Sequence, residues 1–303
     1  MTANHRLVLH LGTEKTGSSA IQRWLQLQRP WLASQEWAVP RALGEPEHWR
    51  FPLLFYDQDQ ADDLTARAGL DSLSAAEKLA LRQRWCAALD AELQATPPST
   101  WIISSEHLHS RLLHRPAAMQ RLLAFVQQRF VACTALVYLR EPLSAALSLW
   151  STAVLNGAPL PELPLPSDPY WNRLCDHRAT AEQLEHWFPG SVQLRLYVPG
   201  EWPDSDVVGD LCSALQLPTP PSTSQGAAAP VNASLSWLAL ALLARLNRRG
   251  QPSKQQVKRL REAFQHLPAP QALPQQRRLY AETYQASNAW VRQRYFPERA
   301  TLF

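Results

Sequence analysis

Four short segments of the chain, Leu7–Leu11, Trp101–Ser104, Thr134–Leu139 and Val192–Val198, are rich in β-branched or large apolar residues and bounded by polar or turn residues. That pattern predicts strands. The first three are almost uninterrupted, which predicts parallel strands covered on both faces. In the fourth, Val192, Leu194, Leu196 and Val198 alternate with other residues, which predicts a place nearer an edge. Helical periodicity fills the intervals at Ser19–Gln28, where Ile21, Trp24 and Leu25 share a face, at Ser74–Gln94, at Pro116–Arg129 and in the run after Arg140. Alternating strands and helices predict an α/β fold with a doubly wound, mainly parallel sheet flanked by helices. Ligands of such sheets bind at the carboxyl ends of the strands, here the turns after Leu11, Ser104 and Leu139.

Two stretches break the alternation: the proline-rich Asn156–Tyr170, and Pro218–Pro230, rich in Pro, Ser, Thr and Ala. Both read as loops, and the first has the place of a lid or an acceptor-binding loop. From Leu235 the chain reads as helical and basic, with Arg245, Arg248, Arg249, Lys254, Lys258, Arg259 and Arg261, a set that a solvated helix face explains. We expect one α/β domain over 1–303, with the sheet within about 5–217 and a helical C-terminal part from about 231.

Composition narrows the function classes. The 303 residues are 46% hydrophobic and 18% charged with twelve tryptophans, the profile of a packed protein. A net charge of +4 suits anionic ligands. Basic helices without interleaved aromatics or a reader motif do not make a nucleic-acid binder. Cys86, Cys133, Cys175 and Cys212 are far apart, with no Cys-x-x-Cys pair, so neither a zinc site nor a disulfide framework is expected. The longest apolar run, Leu235–Leu246, is too short to span a bilayer, and the N-terminus has no signal-peptide pattern. These features predict a cytoplasmic chain without stable membrane insertion.

Only four of the thirty basic residues are lysines, and one, Lys15, sits in a glycine-bearing turn between the first strand and the first helix, Gly12-Thr-Glu-Lys15-Thr16-Gly17-Ser18-Ser19. Glycines let such a backbone curl its N–H groups inward, and the new helix adds its own N–H groups and dipole, so a phosphate group suits the cradle. Gly12 and Gly17 have Walker A spacing, but Ser18 stands where that motif needs its lysine. Without that neighbour no Mg²⁺ is required and no metal is expected.

The run Lys15-Thr16-Gly17-Ser18-Ser19 resembles the 5′-phosphosulfate loop of the sulfotransferases that use 3′-phosphoadenosine 5′-phosphosulfate (PAPS). Arg140, at the end of the third strand, followed by Ser148, is similar to that family's 3′-phosphate motif, with Ser144 as a second serine on the same helical face. The closing segment Ser287–Phe296 looks like that of bacterial, carbohydrate-type members. The resemblance implies a P-loop-like fold, transfer of a sulfuryl group from PAPS to a hydroxyl or amine, and adenosine 3′,5′-bisphosphate as product.

It also implies roles. Lys15 stabilises charge on the bridging oxygen as the nucleotide leaves, residues 16–19 hold the 5′-phosphate, and a base serves the acceptor. Family members use a glutamate or a histidine, and Glu106 and His107 both stand at the end of the second strand; Glu106 is preferred and Glu14 is a third candidate. In Val231-Asn232-Ala-Ser234-Leu-Ser236, Asn232 or Ser234 reads as a helix N-cap, and the two could close over the 3′-phosphate, although the family's usual Arg-Lys-Gly or Lys-Gly-Arg form is absent. A glycan hydroxyl is the first choice of acceptor, with pocket walls from residues 30–71 and 156–170. The rival readings are a nucleotide-dependent small-molecule kinase, which the missing lysine at position 18 disfavours, and a non-catalytic nucleotide- or partner-binding protein.

Overall fold

The computed structural model describes residues 4–202, 206–218, 235–250, 252–264, 266–268 and 270–303. In chain order its elements are β1 (Arg6–His10), α1 (Ser18–Leu27), α2 (Arg29–Ser34), β2 (Trp37–Ala38), α3 (Arg50–Leu53), α4 (Asp63–Arg67), α5 (Ala75–Ala95), β3 (Thr100–Ser104), α6 (Pro116–Gln127), β4 (Ala132–Leu139), α7 (Pro142–Leu155), α8 (Pro169–Cys175), α9 (His177–Trp187), β5 (Val192–Leu196), α10 (Val207–Ala214), α11 (Trp237–Asn247), α12 (Lys254–Phe264) and α13 (Pro274–Tyr295). The chain divides into two compact units, one of Met1–Leu139 with Ala181–Pro221, the other of Arg140–Thr180 with Ser222–Phe303.

The first unit is built on a five-stranded, all-parallel sheet in the order β2-β3-β1-β4-β5. The four strands expected from the pattern are present. β1 and β3 are buried beyond their first residue and β4 from Ala135 to Leu139, as strands covered on both faces must be, and β5, with its alternating burial, lies at an edge. β2 was not expected, because two half-buried residues carry no periodicity. Ile21, Trp24 and Leu25 of α1 bury against Val8, Ile102, Leu136 and the α10 residues Val207, Val208 and Leu211. Tyr138 donates its hydroxyl to Asp210 at 2.7 Å, and Arg195 donates to the same carboxylate, so the buried charge on α10 is met from β4 and β5.

The chain leaves β1 toward one side of the sheet, to β2, and leaves β4 toward the other, to β5. The carboxyl ends of β1 and β4 are therefore the topological switch point, where doubly wound sheets open a crevice.

The second unit is helical. Its core gathers Leu143, Ala146, Trp150 and Val154 of α7, Trp171 and Leu174 of α8, Leu240 and Leu243 of α11, and Tyr280 and Tyr284 of α13. The expected loop Asn156–Tyr170 runs without regular structure as far as α8, which opens at Pro169 with Asp168 as its cap. It is anchored by tyrosines of α13: the Tyr280 hydroxyl donates to the Pro164 carbonyl at 2.7 Å. Ser287 of α13 donates to Asp176 at 2.8 Å and accepts the N–H of Arg178 at 2.9 Å.

His177 is buried in this unit and one ring nitrogen donates to the Arg140 carbonyl at 2.8 Å. Burial lowers its pKa to about 4, offset in part by that carbonyl, Asp176 and Glu141. The unfolded chain, with an ordinary imidazole, takes up its proton first, so this contribution is full above about pH 6.5 and is lost as pH falls toward 4. We expect the denaturant midpoint to fall between pH 7 and pH 4.5, with His177 accounting for roughly 3 kcal/mol at most. In His177→Gln, which keeps a donor for the carbonyl, the slope of stability against pH should be shallower; an unchanged slope would show that His177 is not buried as described.

Candidate functional site

The switch point is occupied by the loop between β1 and α1. Leu11 still donates to the Leu136 carbonyl at 3.0 Å, after which the chain curls. A Cβ on Gly12 would lie 2.3 Å from the Ser18 Oγ and 3.0 Å from its Cβ, so glycine is what lets the loop close onto the first residue of α1; the same Cβ would make an ordinary 3.6 Å contact with the Glu106 Cα at the end of β3. Thr13 donates its hydroxyl to the Tyr138 carbonyl, tying the loop to the end of β4, and Thr16 donates to the Thr13 carbonyl at 2.7 Å. Lys15 has φ 69° and Gly17, the N-cap of α1, has φ 81°. Left-handed residues interleaved in a turn bring successive N–H groups to one side, the arrangement of an anion nest.

α1 has no side-chain cap and no acidic residue in its first turn, so its positive end is not neutralised by its own sequence. Ser18 is buried and its hydroxyl has no hydrogen-bond partner among the described residues. A buried orphan hydroxyl beside an uncapped helix start and a lysine fits an anion such as a phosphate or phosphosulfate group. Of the residues expected to bind there, Thr16 is wholly buried and spends its hydroxyl proton inside the loop, Ser18 points its oxygen into the cradle wall at Gly12, and Ser19 is exposed.

The end of β3 forms the second wall. The Ser104 N–H donates to His48 Nδ1 at 2.8 Å, the Ser104 hydroxyl lies 2.8 Å from His10 Nδ1, and Ser105 N–H donates to the His10 carbonyl at 3.1 Å. These bonds hold β1 and β3 in register past their last residues and fix where Glu106 begins, against Gly12. Burial, then the neighbouring Glu14 and Glu47 carboxylates, pushes the Glu106 pKa up to about 7, against the pull of Lys15 and Arg111. His107 is buried, neither ring nitrogen has a hydrogen-bond partner among the described residues, and burial holds its pKa below the ordinary imidazole value. Glu47, which pairs with Arg67, brings a carboxylate to the same place. The sequence reading passed over Glu47 because it lies in an irregular stretch far from Glu106 in the chain.

Arg140 follows the last residue of β4 and is half-buried. Glu141 is the N-cap of α7: its carboxylate accepts the N–H groups of Leu143 at 3.0 Å and Ser144 at 2.6 Å. The start of α7 is thus already neutralised, unlike that of α1. Ser144 and Ser148, one turn apart on α7, are both half-buried. Asn232 and Ser234 lie outside the described residues. The expected cap is corrected: α11 begins at Trp237 and its N-cap is Ser236, which accepts the Ala239 N–H at 3.4 Å, because capping needs the residue directly before the first turn.

Fold and loop define a parallel α/β protein with an anion cradle between β1 and α1. No protein-family profile matches the chain, and no curated protein does. Among solved structures the chain is similar to a sulfotransferase from Alicyclobacillus acidocaldarius, at 16% identity and a TM-score of 0.39, covering 72% of this chain and 82% of that one. It is similar to the sulfotransferase domain from the curacin biosynthetic pathway, at 12% identity and a TM-score of 0.38, covering 94% and 98%. A structure of the PezAT chromosomal toxin–antitoxin system of Streptococcus pneumoniae matches at 13% identity and a TM-score of 0.31, covering 88% and 86%. Among the described residues no helix is long and apolar enough to cross a membrane.

Proposed function

We propose that the chain is a sulfotransferase that takes a sulfuryl group from PAPS and passes it to a hydroxyl or amine, with a glycan hydroxyl as the first acceptor class to try. The observation that carries this reading is the β1–α1 loop: a lysine held in a left-handed conformation between Gly12 and Gly17, an uncapped helix start, and Glu106, whose backbone lies beside Gly12 and whose carboxylate feels the Lys15 charge.

PAPS, when bound, supplies the sulfuryl group and a nucleotide leaving group. The N–H groups of residues 16–19 and the Ser18 hydroxyl bind its 5′-phosphate, and Lys15 puts a positive charge where negative charge grows on the bridging oxygen. Glu106 takes the acceptor's proton, with His107 beside it as the alternative base. Positioning and charge stabilisation then do most of the chemical work, as in phosphoryl transfer. Arg140, with Ser148 and Ser144, is assigned to the 3′-phosphate on the sequence resemblance, and that assignment separates this function from a kinase.

Calorimetric titration of adenosine 3′,5′-bisphosphate and of ADP, both without Mg²⁺, tests it. We expect tighter binding of the bisphosphate, and loss of roughly tenfold or more in affinity in Arg140→Ala, since a charge-assisted bond to a phosphate contributes about 1.5–3 kcal/mol. Equal binding of the two nucleotides, or none, would sink the sulfotransferase reading and favour the kinase or the non-catalytic nucleotide binder.

A further inference from the structure

One oxygen of Glu47, one oxygen of Glu106 and one ring nitrogen of His107 lie within 4.8 Å of one another. Carboxylates gather at many protein surfaces without binding anything, so the imidazole decides the matter. His107 is only 8% exposed, and neither Nδ1 nor Nε2 has a hydrogen-bond partner among the described residues. A buried polar side chain left wholly unsatisfied is rare, and here one of its nitrogens faces two carboxylate oxygens. We propose that Glu47, Glu106 and His107 form a binding site for a divalent transition-metal ion of the zinc type.

The geometry needs little adjustment. Ligand atoms around a tetrahedral zinc ion with bonds near 2.0 Å stand about 3.3 Å apart, so the three groups have only to draw together slightly. A nitrogen and two carboxylate oxygens suit zinc better than magnesium or calcium, which take oxygen ligands and, for magnesium, hold their waters. Two guanidinium groups lie near, but each is engaged: Arg67 with Glu47 itself, and Arg111 with Asp63 at 2.6 Å. Glu47 has a second oxygen with which to meet an ion while keeping Arg67. The supports are firm as well, for His48, next to Glu47, is fixed between the Ser104 N–H and the Pro40 carbonyl, at 2.8 and 3.2 Å. Three protein ligands leave at least one position of a tetrahedral ion open. Resting on the function proposed above, a bound ion takes the lone pairs of Glu106 and His107 out of proton transfer, so zinc inhibits the reaction.

The test is a calorimetric titration of the metal-free full chain with Zn²⁺ alone, repeated with Mg²⁺ and Ca²⁺, in the unaltered protein and in Glu47→Gln, His107→Gln and Arg67→Gln. The expected result is one zinc ion per chain, with affinity reduced roughly 100-fold or more in Glu47→Gln and in His107→Gln, beyond the 10–100-fold that loss of an outer-shell partner costs. Arg67→Gln, which frees the Glu47 carboxylate, should bind at least as tightly. Zinc binding that is absent, or that survives both ligand substitutions, as it would if the ion sat on cysteines, overturns the proposal. So does binding of Mg²⁺ or Ca²⁺ as tight as that of Zn²⁺. Should His107→Gln fail to fold, Glu47→Gln carries the decision, because Glu47 is not part of the core. No nucleotide enters the titration, so a missing zinc site leaves the sulfotransferase reading intact, and a failed bisphosphate titration leaves the zinc site intact.

Discussion

Lys15→Gly should leave a protein that is more stable than the original and, on the function proposed above, has lost sulfuryl transfer. Three described residues other than glycine have left-handed backbones: Lys15 at φ 69°, Glu36 at 61° and Gln216 at 55°. Glu36 and Gln216 come directly after the C-caps of α2 and α10, the place where helices end in this conformation as a rule. Lys15 ends no helix. A side chain with a Cβ costs about 1–2 kcal/mol there, of which glycine's greater freedom in the unfolded chain cancels up to about 1 kcal/mol. The replacement should therefore raise stability by up to about 1 kcal/mol in denaturant unfolding, while transfer falls roughly 10²–10³-fold, the usual loss when a group aimed at developing charge is removed. Lys15→Ala separates the two effects, since it loses the ammonium and keeps the strain: transfer should fall as far and stability should not rise. If the alanine variant is as stable as the glycine variant, the backbone at position 15 is not strained; if either variant still transfers sulfuryl groups at the original rate, Lys15 is not the group that meets the leaving oxygen.

The backbone angle of Lys15 lies beyond what the sequence alone can tell. The loop itself was legible, because Gly12, Lys15 and Gly17 between an apolar run and an amphipathic one can hardly be anything but a strand–loop–helix turn. The backbone angle of Lys15 was not, for nothing in the letters distinguishes it from a lysine in an ordinary turn. The four long strands could be read because their apolar runs exceed the local noise, whereas β2, two half-buried residues at an edge, depends on pairing with Trp101 and Thr100 and leaves no pattern of its own. The order of the strands, and with it the switch point at β1 and β4, comes from long-range pairing. So do the Tyr138–Asp210–Arg195 network and the arrival of Glu47 beside Glu106, each joining side chains from distant parts of the chain. The helix cap, expected at Asn232 or Ser234, was misplaced by four or two residues because Val231–Ser236 offers three capping side chains, and only the first turn of α11 selects among them.

Glu106→Gln is the substitution that most directly tests whether the second wall does chemistry. A Cβ built on Gly12 would stand 3.6 Å from the Glu106 Cα, and Lys15 and Glu14 of the loop both act on the Glu106 carboxylate, so on the proposed function this is the carboxylate nearest the donor loop. Glutamine keeps the shape and abolishes proton acceptance. Transfer should drop roughly 10²–10⁴-fold, the range attributable to a positioned acid–base group. Binding of adenosine 3′,5′-bisphosphate should change little, since the cradle is made by the loop and α1 and not by this side chain. The fold should tolerate the change: a neutral amide removes repulsion with Glu14 and Glu47, the charges that crowd the carboxylate, at the cost of its attraction to Lys15 and Arg111. His107→Gln is the partner experiment, because the imidazole stands next in the chain and has no hydrogen bond among the described residues that would commit it elsewhere. A large loss in Glu106→Gln with a small one in His107→Gln makes the carboxylate the base and the imidazole a neighbour that orients it. The reverse pattern exchanges the roles. Full transfer in both variants would leave no proton acceptor at the end of β3 and would move the search for the base to Glu14, the third candidate in the loop.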